Sequence, residues 1–543
     1  MVPKRNTLST EERRMTDQEL WAMDQCLKED NFPAWLALKH LTHKGNHLDF
    51  EQHPYQRKIL FDQADYKVTM KSTQCGISED MVVDALAHAI LGYNCFYFMP
   101  NLYLTKLMVD ERFRKSLDKT PYYKGILRAA KAASDRDPVD TIRSFDIGAG
   151  NITFAYSQAG AVSYPADRVF IDELDLCDPM ALQMVPERLA NSDLRSQWRV
   201  GNPTFPGMGI DGEYINSNQQ QWVIKCPNGH DVVLDWFEHV VRQTSDTEYK
   251  LRDTSWKPGE RRDINALCHQ CANPIDRKQN GIWVPRKEHS HSGYHITQLF
   301  STRITLHEIL VRFELGLVDQ EAMQRFWNGI LGEAYVAKGA KVDREMILEC
   351  VGDYRRKKEE KGSLIVAGVD VGKMFHYNIA KMLPDGRIKV INFGTMPATT
   401  TEDTKALIAM LSSWGVKAGI IDALPETQAA REVCRRLPLF FRCYFTANNK
   451  IDESNRKINQ VRTEALDAVK NAFVGKKLLL PQEIKGSDGR EFMEHLTISV
   501  RVHNKARNVY EWVNGDKADH YALSMAYLLM AGKLVVLIRS MDK

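Results

Sequence analysis

The stretch KVTMKSTQCGIS, residues 67–78, joins a short β-rich run to a helical pattern through a polar loop. Lys67–Lys71 reads as a strand and Ile77–Leu91 as a helix. Between them, Gly76 and Ser78 fall where a phosphate-binding loop carries its second glycine and its hydroxyl. Ile77 occupies the usual lysine slot, and Lys71 stands at the front of the loop. A lysine there can fold back to reach the β- and γ-phosphates, while loop amides at a helix N-terminus cradle phosphate oxygens.

Working outward, strands alternate with helical patterns from about residue 50 to 205, including Asn94–Phe98, Arg168–Asp172 and Gln197–Val200. That alternation predicts an α/β fold with a mostly parallel sheet. The apolar run RVFI at 168–171 ends in Asp172 and Glu173. A carboxylate at a strand end beside a phosphate loop can hold Mg2+, and its neighbour can orient and deprotonate a water. Upstream, Gln56 could hydrogen-bond an adenine edge. Downstream, GNPT at 201–204 follows a third strand and could couple hydrolysis to motion. Arg112, Arg114 and Arg143 are candidates for an arginine finger.

Residues 221–285 change character to short β runs and turns. Cys226-x3-His230 and Cys268-x2-Cys271 each sit on a turn and supply four ligands suited to a closed, structural Zn2+ site. The charge run DYRRKKEEKG at 353–362 suits a linker, because a new strand pattern begins immediately after it. Three close strands (Ser363–Gly372, Tyr377–Leu383, Ile388–Phe393) precede α/β units, the order of the ribonuclease-H-like fold. Asp370 lies on the first of these strands, Asp422 near the end of a later one, and Asp519 at the start of the last helix. Carboxylates from separate elements can converge on two Mg2+ or Mn2+ ions and cut a phosphodiester. Glu426 and Asp516 are reserve ligands; Arg501, Lys505 and Arg507 are candidate phosphate contacts.

The bulk numbers fit this division. A chain of 543 residues exceeds one compact core. A net charge of +3 leaves any DNA path to a local basic strip. No stretch approaches the roughly 20 apolar residues of a membrane span. No apolar signal core follows the N-terminus, and ten cysteines do not form a disulfide scaffold, which suits reducing cytosol.

In order along the chain, KSTQCGIS (71–78), DELD (172–175), GNPT (201–204), GVDVG (368–372), DALPET (422–427), N-x2-RTEA (459–465) and Asp519-His520 resemble the motifs of phage large terminases. The front-of-loop lysine resembles that family's deviant Walker A, and Gln221-Trp222 with the Cys pair is similar to its zinc-containing branch. The resemblance implies a P-loop ATPase domain, a zinc-binding insertion and a C-terminal ribonuclease-H-like nuclease. It implies catalytic roles for Lys71, Glu173, Asp370, Asp422 and Asp519, and nucleotide contacts from Gln56, Lys71, Gly76, Ser78 and Asp172. Metal ligands would be Asp370, Asp422 and Asp519, and for zinc Cys226, His230, Cys268 and Cys271. ATP, Mg2+ or Mn2+, and structural Zn2+ are the implied cofactors.

Implied partners are double-stranded DNA, a small terminase subunit, the procapsid portal and further copies of the chain in a ring, with no membrane. The place of action would be the host cytoplasm and, transiently, the portal vertex. The expected divisions are 1–49 helical, 50–220 motor core, 221–285 zinc element, 286–361 helical connection and linker, and 362–543 nuclease. A DNA-repair helicase–nuclease shares both chemistries but calls for a second motor lobe. A non-enzymatic zinc-containing DNA-binding scaffold would lack ATPase activity.

Overall fold

The computed structural model describes residues 31–133, 139–162, 164–245, 248–337, 339–359, 362–425, 427–504, 509–515 and 517–541. Most of the expected helical segment 1–49 therefore lies outside the described residues, as do Glu426, Asp516, Lys505 and Arg507. The chain forms two compact units that divide between Tyr335 and Val336.

The first unit is built on one large sheet. Its strands are β1 (Tyr66–Lys71), β2 (Asn94–Phe98), β3 (Ser144–Ile147), β4 (Gly150–Ala155), β5 (Arg168–Ile171), β6 (Ser196–Gly201), β7 (Gln220–Lys225), β8 (Asp231–Val232), β9 (Ile282–Val284) and β10 (Ser292–Ile296). Their order is β9-β7-β10-β1-β6-β5-β2-β4-β3, with β8 paired to β7. From β7 through β10, β1, β6, β5 and β2 to β4, every neighbouring pair is parallel. A central parallel strand is covered on both faces and reads as a continuous buried run, as KVTMK does.

Helix α1 (Ile77–Ile90) packs behind β1 and buries both faces. Beneath it, Arg168 and Asp84 pair at 2.6 Å, and the Lys67 ammonium sits 3.7 Å over the Trp198 ring. Arg168, Asp84 and Lys67 enter this core paired, whereas Asp80 is buried without a hydrogen-bond partner and burial raises its pKa well above the usual carboxylate range. The expected connection 286–361 is divided by the structure. Its first part adds β10 beside β1 in the sheet and then supplies residues 298–333 around the nucleotide loop. A parallel partner far away in sequence leaves no local pattern, so this strand is invisible to periodicity.

In the second unit, β11 (Ile365–Val371), β12 (Met374–Met382) and β13 (Ile388–Pro397) form an antiparallel meander. The turn between β12 and β13 needs Gly386 at φ 83°. Parallel strands β14 (Ala418–Asp422), β15 (Phe440–Phe445) and β17 (Lys457–Gln460) extend it on the other side of β11. With β16 (Lys450–Asp452) and β18 (Leu478–Leu479), the order is β16-β17-β15-β14-β11-β12-β13-β18. Helix α2 (Arg462–Val474) follows β17 directly. Helix α3 (Arg490–Thr497) follows, and α4 (His520–Met541) lies across β11.

That crossing depends on Gly368. A methyl group there would clash with the Ser524 carbonyl oxygen and the Leu528 nitrogen. The missing side chain lets α4 lie directly on β11, bringing residues 519 and 520 toward Asp370. Gly368→Ala is expected to destabilise the second unit by about 3 kcal/mol or more. Calorimetry of the full chain reads this as an earlier unfolding step; an unshifted transition would contradict the close approach.

Candidate functional site

The nucleotide site forms where β1, β6 and β5 end. β6 runs between the loop strand and the acidic strand, so the element carrying Asn202 separates Lys71 from Asp172 and Glu173. The Lys71 ammonium lies 3.2 Å from Glu173 Oε1 and 3.2 Å from Asn202 Oδ1. Burial lowers the Lys71 pKa, but Glu173 and then Asp172 outweigh it and raise it. Asp172 is buried and accepts from the Tyr97 hydroxyl at 3.2 Å. Burial and the Glu173 charge raise its pKa, with the Ser78 hydroxyl acting in the opposite sense. Ser78 and Asp172 are thus brought together, as a metal-holding pair requires. Glu173 itself sits at φ 54°, a left-handed conformation costly for a residue with a side chain.

Gly76 adopts φ 80° at the start of α1, and a side chain there would run into the Gln56 amide. Gln56 donates to the Cys75 carbonyl at 3.2 Å and is buried. Gln56 thus braces the nucleotide loop from the side of Cys75. Distant residues support the loop's other side. Gln298 donates to the Thr73 carbonyl and hydroxyl at 3.0 and 2.8 Å. The Ser72 and Thr73 amides bond to the Ile296 and Gly329 carbonyls. Asn202 reaches the Asn328 carbonyl at 3.4 Å, and Asn328 donates to Thr204 and Glu333. Sequence reasoning missed Gln298 and Asn328, since nothing local marks a buttress that lies 225 or 124 residues from the loop it braces. Of the arginine-finger candidates, Arg112 is held by Glu79 at 2.8 Å and Arg114 by Asp140.

Cys226, His230, Cys268 and Cys271 converge, with all four donor atoms within 4.8 Å of one another. The Cys226–Cys271 sulfurs are 3.8 Å apart, and His230 Nδ1 lies 3.4 and 3.6 Å from Cys226 and Cys268. Ligands held tetrahedrally by one Zn2+ stand about 3.8 Å apart for two sulfurs and about 3.6 Å for sulfur and nitrogen. The donor set fits that ion.

In the second unit, Asp370 ends up central. It is buried, and its charge acts on Asp422 while the Asp519 charge acts on it. Burial and then Asp370 push Asp422 up to about 7. Burial likewise raises Asp370, against a 2.8 Å bond to His520 Nδ1. Asp519 is held by Arg462 and lies 3.4 Å from the Ser499 hydroxyl. The three aspartates do not form a group with donor atoms all within 4.8 Å of one another; Asp370, through a carboxylate oxygen, and His376 and His520, through ring nitrogens, do. A middle carboxylate flanked by two others fits a pair of ions sharing Asp370 better than a single ion. Arg501 is paired with Asp467 at 2.7 Å.

His376, Glu491 and His495 form a further cluster that sequence reasoning missed. The signals were a histidine opposite Asp370 in the β11–β12 ladder and Glu-x3-His on one helix face. Burial lowers both His376 and His495 to about 4, so both rings are neutral near pH 7.

Comparison with known proteins accords with an ATPase unit followed by a nuclease unit. A family model of the phage terminase large subunit gpA ATPase domain matches residues 43–285. A model of the terminase large subunit gpA endonuclease domain matches residues 291–381. No curated protein matches. Among solved structures, the HK97 bacteriophage large terminase is 10% identical, covering 93% of this chain and 99% of its own at a TM-score of 0.54. A large terminase from a thermophilic bacteriophage is 13% identical over 88% of this chain and 98% of its own, at a TM-score of 0.28. The large terminase nuclease of thermophilic phage G20c with bound magnesium is 13% identical over 35% of this chain and 97% of its own, at 0.27. The two gpA models between them span more than half of the chain in the order of the two units, and the HK97 likeness extends the fold across nearly all of it. The chain belongs to the large terminase subunits of bacteriophages, enzymes of DNA packaging that combine an ATPase with an endonuclease.

Proposed function

We propose that ATP turnover is carried by Lys71, Ser78, Asp172 and Glu173, and DNA cutting by Asp370, Asp422 and Asp519. The observation that carries the motor reading is the meeting of Lys71 with Glu173 and Asn202 at 3.2 Å. Lys71 binds the β/γ-phosphate oxygens, and the amides around Gly76 receive the rest of the phosphate chain. Ser78 and Asp172 would hold Mg2+, which neutralises charge on the transferred phosphoryl group when bound. With nucleotide present, Lys71 turns to phosphate and releases Glu173 to orient and deprotonate the attacking water. Asn202 then reports that change through Asn328 to Thr204 and Glu333.

The nuclease aspartates would share two divalent ions, which supply charge stabilisation to the attacking and leaving oxygens. His520 orients Asp370, and Arg462 holds Asp519. Arg344, Lys485 and Arg490 line a cavity of about 530 Å³ in the same unit and offer a phosphate contact for the DNA backbone. The Cys226, His230, Cys268 and Cys271 knuckle takes a structural Zn2+. Residues 50–220 with β10 make the motor core, 221–285 the zinc element and 362–543 the nuclease. A small terminase subunit, a procapsid portal and further copies of the chain complete the packaging assembly in the host cytoplasm. Among the described residues, no helix is long and apolar enough to cross a membrane.

Three outcomes test this. Lys71→Ala and Glu173→Gln should each lower ATP turnover at least about 100-fold, as expected when a preorganised charge stabiliser or a catalytic base is removed. Normal turnover in both would sink the motor assignment. Asp370→Ala should abolish Mg2+-dependent plasmid cutting and spare ATPase activity; metal-independent cutting by wild type and variant alike would rule out these aspartates. Chelator-free protein should contain about one Zn2+ per chain, lost in Cys268→Ser. Folded wild-type protein without zinc would remove that site.

A further inference from the structure

Next to the nuclease aspartates lies a second set of donors of a different kind. His376 Nε2 is 3.3 Å from Glu491 Oε1, and His495 Nε2 is 3.9 Å from the same oxygen. All three donor atoms fall within 4.8 Å of one another. Glu491 and His495 are one helical turn apart on α3, and His376 comes from β12. Ligands about 2.1 Å from one ion stand roughly 3.0–3.4 Å apart. The His376–Glu491 distance already fits. The Glu491–His495 distance needs a shift of about half an ångström, within reach of a glutamate whose side chain is 52% exposed, and the donor atoms of the two imidazoles lie within 4.8 Å of each other.

A second observation points the same way. His376 is 5% exposed, and its buried Nδ1 has the Met374 carbonyl as its neighbour without a hydrogen bond of full geometry. With its proton on Nδ1, the ring would present the Nε2 lone pair to an ion. Its N–H would then face the Met374 carbonyl beside it, as metal-bound histidines usually require. The contact given up is a long one, 3.4 Å from the Tyr521 amide to His495 Nδ1, at the limit of a hydrogen bond. The exposed face of Glu491 leaves room for water ligands and a way in. His520 stacks on His376 at 4.6 Å between ring centres and leads from this cluster to Asp370.

We propose that His376, Glu491 and His495 form a binding site for a borderline divalent transition ion such as Mn2+, Co2+ or Zn2+. Two imidazoles and one carboxylate with open positions suit such ions, whereas Mg2+ takes oxygen donors. The site borders the nuclease aspartates without sharing a ligand with them. It rests on its own donor geometry, independent of the nuclease assignment.

The test is Mn2+ titration of the full chain, read by pulsed EPR for coupling to imidazole nitrogen. Wild type should bind Mn2+ with that coupling. Glu491→Gln and His495→Gln should each weaken the nitrogen-coupled Mn2+ at least about tenfold, while Asp422→Asn retains it. Glu491 is half-exposed, so its variant is expected to fold as wild type does. Absence of nitrogen coupling in wild type at saturating Mn2+, or unchanged coupling in both the Glu491 and His495 variants, would overturn the proposal. Mg2+-dependent cutting reads the nuclease assignment separately.

Discussion

Both proposed catalytic sites of this chain depend on carboxylates largely withdrawn from water at the ends of strands or the start of a helix. A buried anion is tolerated only when a cation or hydrogen-bond donors compensate it. In the first unit Lys71 does this for Glu173, with Ser78 and Tyr97 serving Asp172. In the second, Arg462 and His520 do it for Asp519 and Asp370, and Asp422 is left raised to about 7. Each site is therefore poised to exchange a protein cation or a proton for an incoming ion. The same electrostatics that makes the empty site costly makes metal binding favourable.

The folds deliver those carboxylates in related ways. In a parallel sheet, neighbouring strands end on the same edge, so residues remote in sequence arrive side by side. β1, β6 and β5 bring Lys71, Asn202 and Asp172 to one edge. β11 and β14 are parallel neighbours carrying Asp370 and Asp422. The third aspartate comes from the start of α4, which lies on the sheet only because position 368 has no side chain. The two proposed sites lie in separate compact units, so the account expects ATP hydrolysis and DNA cutting to be lost independently by mutation. The Zn2+ proposed for the Cys/His knuckle would have no such role, because four protein ligands would leave no open position for catalysis.

Much of this was legible from local sequence. The strand–loop–helix around Lys71–Ser78, the acidic end of RVFI and the aspartate on β11 all stand out, because local periodicity and strand-end position are sequence properties. Convergence of the four Cys/His ligands followed from knuckle spacing. What stayed hidden was long-range. β10 joins the sheet beside β1 after some 220 intervening residues and carries no alternating pattern of its own. Gln298 and Asn328 are ordinary polar residues until the loop they brace is folded against them. The Gln56 hydrogen bond to the Cys75 carbonyl leaves no local sequence signal either. His376 gained meaning only through ladder register opposite Asp370 and packing against α3.

The central claim is that Asp370 is the shared middle carboxylate of a two-ion site. An anomalous-difference map from a crystal of the full chain soaked in Mn2+ tests it most directly. The account predicts two peaks about 4 Å apart, both touching Asp370, one toward Asp422 and the other toward Asp519, with the Arg462 guanidinium displaced from Asp519. No peak among these three aspartates at saturating Mn2+, with Arg462 still in place, would contradict it.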